Sequence, residues 1–493
     1  MSTEIENAVE ATSESGDLSV LDRIMQEGRM ALDESQKAYA RDLIGEFVDQ
    51  VVGREDVMAG DVVEAINLRI AQIDELISAQ LNEILHHPEL QQLESTWRGL
   101  AYLVFNTETS SSLKLRVLNV SKKDLLKDLE KAVEFDQSAL FKMVYEAEYG
   151  TFGGTPYGLL VGDYYFGRHP QDIALLEKIS NVAAAAHAPF IAGTAPQMFD
   201  MESLTEIGQP RDLAKIFESA EMIKWRSFRN SEDSRYVALT LPHMLLRLPY
   251  GPDTKPVEGV NFVESVDGRD HSKYLWGNAA WALAQRITNA FAQYKWCAAI
   301  RGPEGGGRVD GLPTHTFKTD EGDIALKCPT EVAITDRREK ELNDLGFITL
   351  VHCKNTDYAA FFGGQTCNLP KVYDTAEANA NSRLSAILPY ILSASRFAHY
   401  IKVLMRDKIG SFMTKDEVSA YLNRWMSNYV LLTDNASQSE KARYPLREGR
   451  VDVVDVPGKP GCYKATVFLR PHFQLEELSA SIRLVADLPP PAA

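Results

Sequence analysis

Val451-Asp452-Val453-Val454-Asp455-Val456, then Pro457-Gly458-Lys459-Pro460-Gly461, then Ala465-Thr466-Val467-Phe468-Leu469: this stretch decides how the rest of the chain is read. Two β-branched runs on either side of a Pro- and Gly-rich turn predict a β-hairpin. A helix-like run follows from Leu475 to Leu488, and the sequence closes on Pro489-Pro490-Pro491-Ala492-Ala493. A two-stranded hairpin is marginal in water unless further strands or a helix cover it. No strand pattern follows this one. It therefore joins a sheet built by earlier residues or by another chain, and the residues alone leave both readings open.

Working outward, 493 residues are enough for two or three domains, each with its own core. A hydrophobic content of 45% and a charged content of 25% fit a soluble globular protein. The net charge of −17 argues against nucleic acid or an anionic membrane surface as the main partner. Much of that charge is local, because the first 60 residues hold 14 acidic against 5 basic side chains. Cys297, Cys328, Cys353, Cys367 and Cys462 are odd in number, widely spaced and without a C-x-x-C pair. Reduced thiols in a cytosolic protein suit that pattern better than a disulfide framework. The N-terminus lacks the basic start and apolar core of a signal peptide. The longest apolar helix candidate, Tyr274 to Ile300, carries Arg286 and Lys295, which argues against a membrane span. The expectation is a soluble cytoplasmic protein.

Three regions are expected: an acidic arm over 1–60, a body over 61–373 and a C-terminal region over 374–493. Residues 1–17 have a disordered composition, and two helical patterns fill Leu18 to Val52. A stronger helix opens at Asp61, with Glu64 at capping-box spacing, and Val62, Ile66, Ile70, Ile73, Ile77, Leu81 and Ile84 keep to one face. That face packs on the protein's own body or on a partner. Leu113–Val120, Tyr157–Asp163, Pro189–Thr194, Tyr236–Leu241 and Phe347–Cys353 read as strands. Lys122–Phe135, Pro170–His187, Pro210–Trp225 and Ser272–Ile300 read as helices. The alternation predicts a multi-domain mixed α/β (α+β) fold with a largely buried sheet. Long turn-rich loops at Pro249–Gly268 and Gly302–Pro313 interrupt it. Beyond Asp374 the pattern turns helical: Ala376 to Ile409 with a kink at Pro389, then a helix to Leu432 opened by a Thr414/Glu417 capping box. Val418, Tyr421, Leu422 and Trp425 share its inward face, and polar Thr433–Lys441 reads as a loop.

Catalytic parts are sparse. The glycine-rich Gly302-Pro303-Glu304-Gly305-Gly306-Gly307-Arg308 lacks the Gly-Lys-Ser/Thr ending of a phosphate loop, follows a helix pattern and places a carboxylate where phosphate would sit. No H-E-x-x-H or G-x-S-x-G motif occurs, and adjacent His86 and His87 cannot share a helical face. The enzymatic alternative is a cytosolic thiol hydrolase built on Cys367, with His399 or His352 as base. Trp225-Arg226-Ser227-Phe228-Arg229 interleaves basic and aromatic residues, and a single such patch on an acidic chain points to an internal or subunit site more than to nucleic acid. Neither a cofactor nor a metal is expected, and no fuel-hydrolysing site is legible.

Several long segments resemble the large subunit of the bacterial type VI secretion contractile sheath (the TssC, or VipB, family). They are HHPELQQLESTWRGLAYLV at 86–104, AEYGTFGGTPYGLLVGDYYFGRHPQDIALLEKI at 147–179, LTLPHMLLRLPYG at 239–251, YLWGNAAWALAQRI at 274–287, CPTEVAITDRREKELNDLGFITLVHC at 328–353 and LRPHFQLEELSASIRLVADLP at 469–489. The resemblance implies a non-enzymatic, phage tail-like structural protein. Its implied partners are the small sheath subunit (TssB, or VipA), further copies of itself in a six-start helical sheath, the Hcp inner tube, the baseplate and, through the assembled sheath, the ClpV unfoldase. It implies a cytoplasmic polymer in a membrane-anchored apparatus, without membrane insertion of its own. Carried onto this chain, the strands shared between subunits fall at Val451–Val456 and Ala465–Leu469, with Val451, Val453, Val456, Val467 and Leu469 as their marker residues. The resemblance also implies a final helix facing the inner tube, and its charged stripe, Glu476, Arg483 and Asp487, becomes the candidate tube contact. Thr433–Lys441 becomes a candidate hinge.

Overall fold

The computed structural model describes residues 36–52, 62–319, 321–411, 413–433, 435–458, 462–472 and 474. They fall into two compact units. The smaller comprises the N-terminal residues to Leu85 together with Tyr250–Ser265. Its helices are α1 (Lys37–Val52) and α2 (Val62–Leu85). The Asn82 amide donates to Val263 O at 3.2 Å and accepts from Ser265 N at 2.7 Å, which ties the 250–265 loop to α2. On the apolar face read from the sequence, Ile70, Ile77 and Ile84 are exposed.

The larger unit holds the remaining residues. Its first helices are α3 (Pro88–Phe105), α4 (Lys122–Lys131), α5 (Pro170–Ala186), α6 (Leu213–Glu218) and α7 (Ile223–Asn230). They are followed by α8 (Ala279–Tyr294), α9 (Asp336–Asp344), α10 (Ala376–Leu384), α11 (Leu388–Asp407), α12 (Lys415–Ser427) and α13 (Gln438–Arg443). Its principal sheet has six strands: β1 (Leu160–Phe166), β2 (Phe190–Thr194), β3 (Val237–Leu241), β9 (Phe347–His352), β10 (Ala359–Phe361) and β6 (Arg308–Val309), in that spatial order. β1, β2, β3 and β9 run parallel, and β10 and β6 close the far side antiparallel. Parallel strands need helices on both faces and so lose alternation. β2 and β3 are accordingly buried at every position. One face packs α5 and α7 around Phe199, Trp225 and Phe347. The other packs α8 around Trp281, Leu283 and Ile287. Two short antiparallel pairs complete the body, β4 (Met244–Leu245) with β5 (Trp276–Gly277), and β7 (His315–Lys318) with β8 (Ile324–Lys327).

Four of the five predicted strands are present, within three residues at each end. The fifth is not: Leu113–Val120 lies in no strand. Pro210–Trp225 is two helices instead of one, and the helix predicted over Ala376–Ile409 is also divided, between Leu384 and Leu388. Pro389 stands in the first turn of α11. Its missing N–H is an orphan there in any case, so proline opens a helix instead of kinking one. α12 stops at Ser427, short of Leu432. Within the predicted Thr433–Lys441 loop a capping box, Ser437 with Glu440, starts α13.

Candidate assembly interface

The predicted hairpin forms, and it is longer than read. β11 (Leu446–Asp455) pairs antiparallel with β12 (Tyr463–Pro471), placing Val451 opposite Val467 and Val453 opposite Ala465. It is a two-stranded sheet of its own among the described residues. Val456 lies just past β11, where its N–H donates to Cys462 O at 3.0 Å.

Helices give the hairpin its core. The Thr414 hydroxyl accepts from Glu417 N while the Glu417 carboxylate accepts from Thr414 N, fixing the start of α12. The hydrogen bond from the Thr414 main chain, followed by one that the Thr414 hydroxyl donates, holds the Glu417 carboxyl below its usual range. Leu422 and Met426 of α12 then meet Val451, Val453 and Leu446, with Val418, Tyr421 and Trp425 at the margin as their spacing predicts. Trp296, delivered from the end of α8, stacks on Phe397 with ring centroids 4.3 Å apart. Gly449 permits this closeness, since a Cβ there would stand 2.8 Å from Met426 Cγ. Beyond β12, Tyr390 Oη donates to His472 O at 3.0 Å and the Gln474 amide donates to Ala298 O at 2.8 Å.

Along β12 every second residue is exposed: Lys464, Thr466, Phe468 and Arg470. The outer face also carries Val454 and Phe468, both about half-exposed, with the Arg450 guanidinium over the Phe468 ring at 4.9 Å. The edges follow from one side chain. The Asn423 amide accepts from Val451 N at 2.9 Å and donates to Val451 O at 2.8 Å. Both main-chain groups of Val451 therefore point away from β12, making Val451/Val467 a pair without mutual hydrogen bonds. By alternation, Tyr463, Ala465, Val467 and Leu469 also turn their N–H and C=O groups outward, and these have no partner among the described residues. The β11 edge is different. Leu446 is bonded by Tyr429 O and Leu431 N, and Asn423 occupies Val451. One edge is partly closed by the protein's own groups, and the other is open over four positions.

Asn423 is the residue that sequence reading misses. A single Asn on a helix gives no signal until the fold brings it to a strand edge. Glu476, Arg483 and Asp487, with the helix predicted over Leu475–Leu488, lie outside the described residues.

The enzymatic candidates are dispersed. Cys367 is fully buried in the sheet core, and burial pushes its thiol up to about 12. A thiol held there supplies no thiolate at neutral pH. His352 Nε2 is bonded to Thr356 O, and His399 donates from Nε2 to Ala186 O at 2.9 Å, so each imidazole is committed to a main-chain carbonyl. Neither presents the hydrogen-bonded base that a cysteine nucleophile requires. The glycine-rich loop is tied to the sheet, with Gly302 N bonded to Phe361 O and Phe361 N to Gly307 O. In the Trp225–Arg229 patch, Trp225 and Phe228 are buried, and Arg229 donates to Cys367 O and Asp344 O. That patch is internal, joining α7 to two chain segments through carbonyls. Among the described residues there is no group of side chains that could hold a metal ion, and no helix is long and apolar enough to cross a membrane.

Comparison with known proteins agrees with the sequence segments quoted above. The family described as EvpB/VC_A0108, tail sheath N-terminal domain (VipB), matches residues 67–368. Its companion, the tail sheath gpW/gp25-like domain, matches residues 377–488. The type VI secretion system sheath protein TssC1 of Pseudomonas aeruginosa is 48% identical over 487 residues, covering 98% of this chain and 97% of that protein. Among solved structures, the baseplate of the anti-feeding prophage aligns at TM-score 0.37 and 11% identity, over 77% of this chain and 84% of that one. The contracted helical sheath of the same particle aligns at TM-score 0.31 and 11% identity, over 62% and 66%. The family matches and the relative carry the conclusion: this chain belongs to the VipB (TssC) family of type VI secretion sheath proteins.

Proposed function

We propose that this chain is the large structural subunit of a contractile type VI secretion sheath. It pairs with the small sheath subunit (TssB, or VipA), polymerises as a six-start lattice around an Hcp tube on a baseplate, and contracts to drive the tube outward. The assembled sheath is then dismantled by ClpV. The work is mechanical: an extended lattice repacks into a denser one, a transition between two rigid-body arrangements. In this reading residues 1–60 are an arm, 61–373 the body and 374–493 the lattice-forming region. The sheath is cytoplasmic, in a membrane-anchored apparatus, and neither catalysis nor a cofactor is part of the mechanism.

The observation that carries the proposal is the open edge of β12, where four successive outward positions lack main-chain partners among the described residues. Native proteins cover or blunt such edges unless a strand is added to them. Val451, Val453, Val456, Val467 and Leu469 are assigned to the shared strands: Val451 faces Val467 and Val453 faces Ala465 in the hairpin, Val456 lies just past β11, and Leu469 is on the outward edge of β12. The exposed apolar face of α2 supports a second contact with the small subunit. Tube contact is assigned to Glu476, Arg483 and Asp487.

Co-expression with the small subunit, followed by electron microscopy, tests this. Hollow tubes are expected, and Val467→Pro, which removes an outward N–H from β12, should leave subunit pairing intact while abolishing tubes. A stable monomer that ignores the small subunit sinks the proposal. Normal tubes from the proline variant move the joint elsewhere.

A further inference from the structure

Lys142 to Tyr149 winds as a π-helix, a rare geometry that is frequent at functional sites. Its end closes from Gly150 N to Tyr145 O at 2.6 Å. The second half of α11 packs on it. Lys402 Nζ stands 3.4 Å from the centroid of the Tyr149 ring and 4.9 Å from that of Tyr145. Arg406 donates to Tyr149 O at 2.9 Å and to Thr151 O at 2.8 Å. One turn before Lys402, the His399 ring lies 5.3 Å from Tyr149 and 6.2 Å from His187, which ends α5. His399 Nε2 donates to Ala186 O, and its Nδ1 is buried with no partner among the described residues. His187 Nδ1 lies 3.1 Å from Tyr236 Oη.

The charges that act on the two imidazoles are cations. Arg396, His187 and Lys402 oppose a proton on His399, and Lys402 opposes one on His187. The π-helix contributes Tyr145 and Tyr149. The turn before β3 contributes Tyr236, on which Asp233 and Arg235 act in opposite directions. Of the carboxylates on the packed elements, Glu148 and Asp172 are paired with Arg116 and Lys122, and Glu146, Glu177 and Asp407 are exposed. None of them acts on His187, His399 or Lys402. A proton on His399 Nδ1 is therefore a buried N–H without an acceptor, set among cations. α11 meanwhile serves two cores. Leu388 and Leu392 hold its first half in the body, and Phe397 and Ile401 pack with α12 and the hairpin. We propose that the contact between the second half of α11 and the π-helix is an acid-operated latch: protonation of His399, with His187 beside it, releases residues 399–407 from 142–149 and loosens the hairpin-bearing region while the six-stranded sheet stays folded. Opening lets water reach both rings and separates the imidazolium from the cations that oppose it. The latch does not depend on the proposed sheath function.

Hydrogen exchange on the full-length chain at about pH 7.5 and about pH 5, corrected for the intrinsic rate at each, tests this directly. His399 protonates near about 4 in the closed latch and near 6.5 once exposed, so this acidification multiplies the open fraction by roughly 30. Amides of 143–149 and 399–407 are expected to exchange faster by that factor, with those of β2 and β3 unchanged. His399→Gln, which keeps a donor for Ala186 O, should remove most of the increase. Lys402→Met, which deletes one opposing cation at the margin of the contact, should reduce it in a chain that keeps both histidines. Equal exchange at the two pH values overturns the latch. So does loss of β2 and β3 protection together with the seam, because the acid response is then global unfolding. An increase that persists undiminished in both variants assigns it to other groups and overturns the proposal as well.

Discussion

The six-stranded sheet and the C-terminal hairpin solve the same problem in opposite ways. In the sheet, β2 and β3 are buried at every residue, and helices on both faces account for their side chains. In the hairpin, only one face is covered and the other holds exposed Val454 and Phe468. The first has both faces covered by its own chain. The second is anchored by its own chain and left open on the side where a polymer would need to join. Stability and assembly are therefore written into different parts of the molecule, and substitutions should separate them.

The largest effect is expected in the sheet. Phe347 is fully buried against Trp225, Phe199 and Phe217. Phe347→Ala should cost about 3–5 kcal/mol of stability, read by chemical denaturation, as aromatic truncation in a packed core does. A loss below about 1 kcal/mol would mean that the sheet core is not where the stability resides.

The seam between the two regions should be sensitive to acid. His399, on α11, is buried against Tyr149, His187 and Ala186, with Lys402 over the Tyr149 ring and Arg396 nearby. Desolvation comes first and the neighbouring cations add to it, lowering the imidazole to about 4. The unfolded chain protonates near the ordinary value of about 6.5, so it binds more protons than the native state between those limits. Stability is thus retained above pH 6.5 and lost as pH falls toward 4, by up to about 3 kcal/mol at 1.36 kcal/mol per unit. Thermal melts across that range should show the slope, and His399→Gln should flatten it. An unchanged slope would place the acid sensitivity in other groups.

The smallest effect distinguishes the two hairpin edges. Asn423→Ala removes both bonds to Val451 and should cost about 1–3 kcal/mol, with faster exchange at the Val451 amide. Unaltered exchange there would mean that the closed edge is held by packing alone.

How much of this was legible in the sequence depended on how local the signal was. The Thr414/Glu417 box and the inward stripe of Val418, Tyr421, Leu422 and Trp425 were readable because four residues carry the whole message. Parallel β2 and β3 were readable as short apolar runs. Leu113–Val120 looked the same and has no strand partner among the described residues, since composition reports what a strand can pair with and not whether anything does. Pro389 looked like a kink because its position within a helix depends on where the previous helix ends. Trp296 and Phe397 stack across a hundred residues of chain, and Asn423 meets Val451 only after α12 has docked. Contacts of that kind are products of the fold.

The alternation of β12 has one more result. In a strand, the residues that hide their side chains against the helices are the same ones that turn their main-chain groups to the free edge. Tyr463, Ala465, Val467 and Leu469 thus hold the core with their side chains and offer the joint with their backbones. Evolution can exchange the exposed residues beside them, Lys464, Thr466, Phe468 and Arg470, without rewriting a single bond that the edge offers. A polymer contact built this way tolerates drift on both partners, and an alanine scan would pass over it.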